Sequence, residues 1–181
     1  MRLSEDSVPS VRKAAAQHLK EFIALLPKLD KPPERELLNI FDRLAKDEHD
    51  SVKILAMDNC LEFLKVLSHT KATAGLLPFI KTYAESDAWR LRYLVADKIV
   101  DLAKGIGPES MQAHLLPYYV KFLDDPESEV RTAAVSRLGE FSKMLNGEDI
   151  VKKIAPCLKK LSNDTFQYVR GRRGVTLRRI G

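Results

Sequence analysis

The sequence predicts an all-α chain built as a stack of about four and a half helical hairpins, an α-solenoid. Three observations carry this reading. A Val-Arg-like step recurs at Val11-Arg12, Val52-Lys53, Leu91-Arg92, Val130-Arg131 and Val169-Arg170, at spacings of 41, 39, 39 and 39 residues. Apolar residues follow each step at helical offsets. A second apolar block, with proline in one fixed place, recurs between the steps.

The steps open the second helix of each hairpin. Four residues after the apolar member stand Ala15, Ala56, Val95 and Ala134, then Leu19, Cys60, Ile99 and Leu138, then Phe22, Phe63, Leu102 and Phe141. Offsets of 0, 4, 8 and 11 trace one stripe along an α-helix. The small residue at offset 4 implies close approach of a neighbouring helix. The second helices are expected over 8–25, 50–67, 88–104 and 127–145.

The first helices obey the same period. Leu37-Leu38-Asn39-Ile40-Phe41 aligns with Leu76-Leu77-Pro78-Phe79-Ile80, Leu115-Leu116-Pro117-Tyr118-Tyr119 and Ile154-Ala155-Pro156-Cys157-Leu158. Leu44, Tyr83, Phe122 and Leu161 follow in register. A proline ring clashes with the carbonyl four residues back, so Pro78, Pro117 and Pro156 imply a bend built into each of these helices.

Asp6, Asp47, Ser86, Asp125 and Asp164 sit five residues before each step, and the Asp and Ser residues of the short acidic turns at 46–51, 85–87, 124–128 and 162–165 suit N-capping of the second helix. Gly105-Ile106-Gly107-Pro108, Asn146-Gly147 and Lys28 to Pro33 read as stops between hairpins. The whole of 1–181 is thus expected to be a single solenoid. It comprises a second helix at 8–25, then repeats at about 32–67, 70–104, 110–145 and 148–181, the last atypical. The pattern begins halfway through a repeat and breaks after Arg170, where Arg173 takes a small-residue position. A fragment of a longer array is the expectation.

Composition narrows function by exclusion. With 45% hydrophobic and 30% charged residues, the chain is ordinary for a folded domain, and no apolar run is long enough to span a membrane. The net charge of +5 is uneven. Residues 152–181 hold nine Lys/Arg and one acid, whereas 1–151 hold 21 Lys/Arg and 24 Asp/Glu. A nucleic-acid-binding solenoid needs a basic stripe along its body, and the body is net acidic. Cys60 and Cys157 read as buried thiols rather than a disulfide. His18, His49, His69 and His114 show no metal-ligand spacing. There is no Gly-rich phosphate loop, nucleophile elbow or His-Glu-x-x-His, so no catalytic residue, cofactor or metal is expected, and the chain is not read as an enzyme. The recurring Arg and Asp residues read as a ladder of exposed pairs tying neighbouring turns, each contributing about 0–1 kcal/mol.

Two helices per unit, the 39-residue period and the Asp…Val-Arg step resemble HEAT repeats, an armadillo-type superhelix. The runs Ser7–Ala16, Ala45–Val52 and above all Trp89-Arg90-Leu91-Arg92-Tyr93-Leu94-Val95-Ala96-Asp97-Lys98 are similar to the middle repeats of one HEAT-repeat family, the scaffold (A, regulatory) subunits of serine/threonine protein phosphatase 2A. Gly107-Pro108-Glu109 and Ile154–Lys159 fit the same stretch. The resemblance covers roughly residues 5–170.

That resemblance implies a non-catalytic scaffold, cytoplasmic or also nuclear. B-type regulatory subunits would dock on the ridge of turns inside each repeat, and the catalytic subunit on repeats absent from this chain. Nucleic acid and membrane are not expected partners, and self-association through the half-repeat at the start is. Carried over residue by residue, the implied partner-binding positions are Pro9, Arg12 and Lys13 in the first turn and His49, Asp50 and Ser51 in the second. Trp89 and Arg90 take the third turn, Glu127 and Ser128 the fourth. Trp89, the single tryptophan, would be the strongest contact. The alternatives are another HEAT adaptor, related to transport or translation, or a nucleic-acid-binding solenoid.

Overall fold

A computed structural model describes residues 3–162. The Val169-Arg170 step, Asp164, Arg173 and the rest of the tail lie outside the described residues. The described residues contain helices and turns and no strand. In chain order the helices are α1 (Pro9–Leu25), α2 (Glu34–Ala45), α3 (Asp50–Val66), α4 (His69–Ala84), α5 (Trp89–Ile106), α6 (Pro108–Ser110), α7 (Leu116–Leu123), α8 (Ser128–Ser136), α9 (Leu138–Ser142), α10 (Gly147–Asp149) and α11 (Ala155–Leu161). A 3₁₀ turn at Leu3–Glu5 precedes α1, and another at Leu26–Lys28 follows it. Five-residue π turns at Met111–Leu115 and Ile150–Ile154 lead into α7 and α11. The chain falls into two compact units, Met1–Lys81 and Thr82–Gly181.

In the first unit the stripe on α3 does what its spacing demands: Val52, Ala56, Cys60 and Phe63 are all fully buried. Phe63 meets Phe41 of α2 edge to face at 5.6 Å, and Phe41 meets Phe79 of α4 at 4.9 Å. Such offset ring pairs add about 0.5–1.5 kcal/mol beyond the area they bury. The α1 and α3 helices are joined by the Asn59 side chain, whose Nδ2 donates to the Ala16 carbonyl at 3.0 Å. Gly75 of α4 faces the Leu38 side chain, where a Cβ would sit in ordinary contact at 3.4 Å from a leucine methyl.

The second unit repeats the arrangement. Leu91, Val95, Ile99 and Leu102 of α5 are buried, as are Val130, Ala134, Leu138 and Phe141 of α8 and α9. Tyr119 of α7 stacks tilted on Phe141 at 4.2 Å and donates its hydroxyl to the Ala134 carbonyl at 2.9 Å. The Tyr119 hydroxyl thus reaches α8 at its offset-4 residue. Gly107 ends α5 with φ at 85°, and its N–H donates to the Ala103 carbonyl. Only glycine takes that backbone region without steric cost.

Two sequence expectations change in detail. The proline bend takes different forms. Pro78 lies inside α4, whereas Pro117 and Pro156 each sit in the first turn of a helix directly after a π turn. A widened turn moves the carbonyl that the ring would strike and leaves no donor unserved. The expected N-caps also differ. The residues at the N-cap positions of α1, α3, α5 and α8 are Val8, His49, Ala88 and Glu127, none with a capping side chain. The Asp and Ser residues stand two places earlier and hold the turn instead.

Candidate functional site

The candidate positions are the turns ahead of α1 and α3 in the first unit and, separately, those ahead of α5 and α8 in the second. Each is built from the same local bond. Asp6 Oδ1 accepts from the Val8 N–H at 2.9 Å, Asp47 Oδ1 from His49 at 2.9 Å, Ser86 Oγ from Ala88 at 3.2 Å, and Asp125 Oδ1 from Glu127 at 2.9 Å. A short polar side chain bonding the backbone two residues on closes a turn by itself. It leaves the following residue extended, as an N-cap requires.

At three of the four described steps the arginine then closes the turn from within the helix; the step of α3 has Lys53 in its place. Arg12 Nη1 donates to the Asp6 and Ser7 carbonyls at 2.8 and 3.3 Å. Arg92 Nη1 donates to Ser86 and Asp87 at 2.8 and 3.0 Å, and Arg131 Nη1 to Asp125 and Pro126 at 2.6 and 3.0 Å.

The rest of the guanidinium reaches the next turn. In the first unit Arg12 Nε and Nη2 clasp the Asp47 carboxylate at 2.6 and 3.2 Å, with Nη2 also 3.2 Å from Glu48 Oε1 and from His49 Nδ1. In the second unit Arg92 clasps Asp125 in the same fork at 2.8 and 3.0 Å. The hydrogen bond from Arg12 holds the Asp47 carboxyl below its ordinary value of 3.8. The guanidiniums of Arg12 and Arg92 are raised above theirs by the same carboxylates. Contrary to the exposed ladder expected, the Arg12 and Asp47 side chains are only 11% and 5% accessible. The bidentate fork and two carbonyl contacts make Arg12 part of the turn's framework.

The remaining sequence-selected residues stand on that framework. Pro9 is the first residue of α1, half-buried, and Lys13 is exposed one turn in. His49, Asp50 and Ser51 are exposed at the start of α3, with Asp50 in an ion pair to Lys53 at 2.8 Å. Trp89 opens α5 half-buried. The Arg90 guanidinium lies 4.9 Å from its ring centroid, and Tyr93 meets its edge at 6.4 Å. Glu127 is exposed, and the half-buried Ser128 donates to Glu129 at 2.9 Å. Within the first unit the structure brings Arg12 and His49 together; within the second, the Trp89 group and Glu127 each stand on a turn of the Arg92–Asp125 clasp.

Sequence reasoning missed two members. Tyr93, exposed beside Trp89, is four residues on and so on the same helix face, a signal that was available. Tyr118 donates to Glu85 Oε1 at 2.5 Å with the Lys121 ammonium 5.4 Å from its ring. Burial, then the carboxylate, push its phenol up to about 12. This pair carried no sequence signal, because Tyr118 falls on a core offset. Among the described residues no group of three or more His, Cys, Asp or Glu is placed to hold a metal. No helix of the described residues is long and apolar enough to cross a membrane.

Comparisons with known proteins agree with this architecture. Residues 108–174 match the family model described as PPP2R1A-like HEAT repeat. The A-type regulatory subunit of protein phosphatase PP2A from Schizosaccharomyces pombe is 32% identical over 95 residues, 52% of this chain and 16% of that protein. The protein of the same name from Saccharomyces cerevisiae is 32% identical over 105 residues, 54% of this chain and 16% of its own length. The chain thus spans about one sixth of these relatives. A designed armadillo repeat protein, YIII(Dq)4CqI, superposes with a TM-score of 0.59 at 20% identity, over 99% of this chain and 80% of that one, a likeness of fold alone. The chain is an all-α repeat protein of the HEAT and armadillo class, similar over about half of its length to the A-type regulatory subunits of protein phosphatase PP2A.

Proposed function

We propose that this chain is a non-catalytic scaffold segment of a protein phosphatase 2A assembly, acting in the cytoplasm or nucleus. Its turns would hold B-type regulatory subunits while the catalytic subunit engages repeats outside this chain. The observation that supports this most is the repeated turn. At each one an Asp or Ser fixes the backbone, and at the turns of Asp47 and Asp125 an arginine fixes the Asp in turn, with the next side chains standing outward. Pro9, Lys13, His49, Asp50, Ser51, Trp89, Arg90, Glu127 and Ser128 are the proposed contact residues, and Arg12 acts by positioning the turn.

Half-buried, stacked by Arg90 and edged by Tyr93, Trp89 is held in one place before any partner arrives. A rigid aromatic anchor loses little side-chain freedom on binding, which is the physical basis of its hot-spot role. We expect Trp89→Ala to weaken binding of a purified B-type subunit by about 2 kcal/mol, or roughly thirtyfold, in biolayer interferometry while circular dichroism stays unchanged. Equal affinity of the variant would refute Trp89 as a contact. Recovery of transport cargo or nucleic acid in place of phosphatase subunits from an extract would refute the scaffold reading.

A further inference from the structure

The second helix of the fourth repeat departs from the others. In α1 and α3 the corresponding helix runs unbroken over 17 residues, and in α5 over 18. In the fourth repeat it is interrupted at Arg137, between α8 and α9, where φ is −96° and ψ is −2°. The Arg137 N–H donates to the Ala134 carbonyl at 3.1 Å, one residue short of its α-helical acceptor.

Two hydroxyls account for the break. An unbroken helix assigns the Ala133 carbonyl to the Arg137 N–H and the Ala134 carbonyl to the Leu138 N–H. Here Ser136 Oγ donates to the Ala133 carbonyl at 2.6 Å. The buried Tyr119 hydroxyl of α7 donates to the Ala134 carbonyl at 2.9 Å. A side chain entering the backbone ladder kinks a helix, and a 3₁₀-type step in mid-helix is a mark of a hinge. The other repeats lack both hydroxyls. At the register of Ser136 stand Gln17, Asp58 and Asp97, and at that of Tyr119 stand Phe41 and Ile80. Gly139, in the register of Lys20, Leu61 and Val100, weakens the helix further just past the break.

The part before the break is anchored. Arg92 of α5 holds Asp125, ahead of α8, at 2.8 Å, and Arg137, just past α8, holds Asp97 of α5 at 2.8 Å. These two pairs run in opposite directions and tie α8 to α5 at both ends. The part after the break, Leu138–Ser142, carries Phe141, which stacks on the same Tyr119 at 4.2 Å.

We propose that Arg137 is a hinge with two settings. In the bent setting, the one in the structure, the hydroxyls of Ser136 and Tyr119 hold the two carbonyls. In the straight setting both hydroxyls let go, the carbonyls return to the N–H groups of Arg137 and Leu138, and 128–142 becomes one helix. The α8 helix stays on α5, and Leu138–Ser142 is the arm that swings. Tyr119 acts on both sides of the joint, holding the bend with its hydroxyl and bearing the arm on its ring. The fourth repeat thereby changes the angle of its second helix without unpacking α8 from α5. The hinge does not depend on the phosphatase reading.

The test is hydrogen exchange followed by NMR on the full chain. The Arg137 and Leu138 amides are expected to exchange at least about tenfold faster than those of Lys98 and Ile99, their register partners in the unbroken α5. Tyr119→Phe and Ser136→Ala each free one carbonyl, and Phe41 already occupies the register of Tyr119 in another repeat. Together they should slow exchange at Arg137 and Leu138 at least about tenfold and move the Cα resonances of 136–138 towards helical values. Ser136→Ala alone, at a half-buried position, should give part of both effects and keeps the readout if the buried substitution fails to fold. Equal exchange at the two pairs of amides in the parent overturns the hinge. So do folded variants whose exchange at 137 and 138 is unchanged or faster.

Discussion

The helices α1 and α3 carry the same stripe, and only one of them is sealed. Val52, Ala56, Cys60 and Phe63 are fully buried, Phe63 against Phe41 of α2, whereas Val11 and Ala15 are half-covered and Phe22 faces out. The residue types are nearly the same, so sequence alone does not set burial. Burial comes from the neighbour, and in a repeat protein each unit's stability is in large part the interface it shares with the next. The same substitution should therefore have different consequences in the two helices.

The largest contrast is expected at the phenylalanines. Phe63→Ala should cost about 3–5 kcal/mol, the range for a large buried ring, read as a drop in the urea midpoint. Phe22→Ala should stay within about 0.5 kcal/mol. Equal losses would break the comparison. Next come the small residues. Ala56→Leu overfills a closed contact and should destabilise by about 1–3 kcal/mol, whereas Ala15→Leu falls at a half-covered position and should cost clearly less in the same titration.

The thiol offers a probe without mutation. Cys60 is buried in the sealed stripe, and burial pushes its pKa far up, so it should react with Ellman's reagent only as fast as the protein unfolds. The half-buried Cys157, also raised by burial, should react first in the native protein.

The smallest effect concerns the clasp that joins α1 to the turn before α3. The Asp47 carboxyl is held below 3.8 by Arg12. A lowered acid contributes stability that is complete above its unfolded pKa and is lost as pH falls through the folded one. Asp47→Asn should therefore lower the melting temperature at neutral pH, and the two melting curves should converge below about pH 4. Parallel curves down to pH 2 would mean that the clasp does not couple the helices.

Much of this was legible in the sequence. The offsets of 0, 4, 8 and 11 located the core of α3, α5 and the α8–α9 pair, because a stripe that must be buried repeats visibly. The same offsets placed Phe22 in the core, since register records what a residue is suited to and not whether its neighbour is there. The N-cap reading of Asp47 and Asp125 failed for a related reason. A carboxylate that caps a helix and one that closes a turn both accept a nearby backbone N–H, and they leave the same sequence signature. The prolines announced a bend without choosing between the continuous helix at Pro78 and the π turns ahead of Pro117 and Pro156. The partner of Arg12 could be guessed from the ladder. Its near-complete burial could not, because that depends on how closely consecutive turns approach.

The closing of each turn from below has a consequence for how such a surface changes over time. The backbone groups of the turns ahead of α1 and α5 are held by Asp6, Ser86, Arg12 and Arg92, and the clasps run to Asp47 and Asp125. The outward residues at these ridges contribute little to holding that backbone. Under the proposed function, Lys13, Ser51, Arg90 and Glu127 could be exchanged one at a time, each exchange altering the proposed contact surface while leaving the bonds of the turn beneath it in place. A ridge built this way is a keyboard whose keys can be replaced without rebuilding the frame.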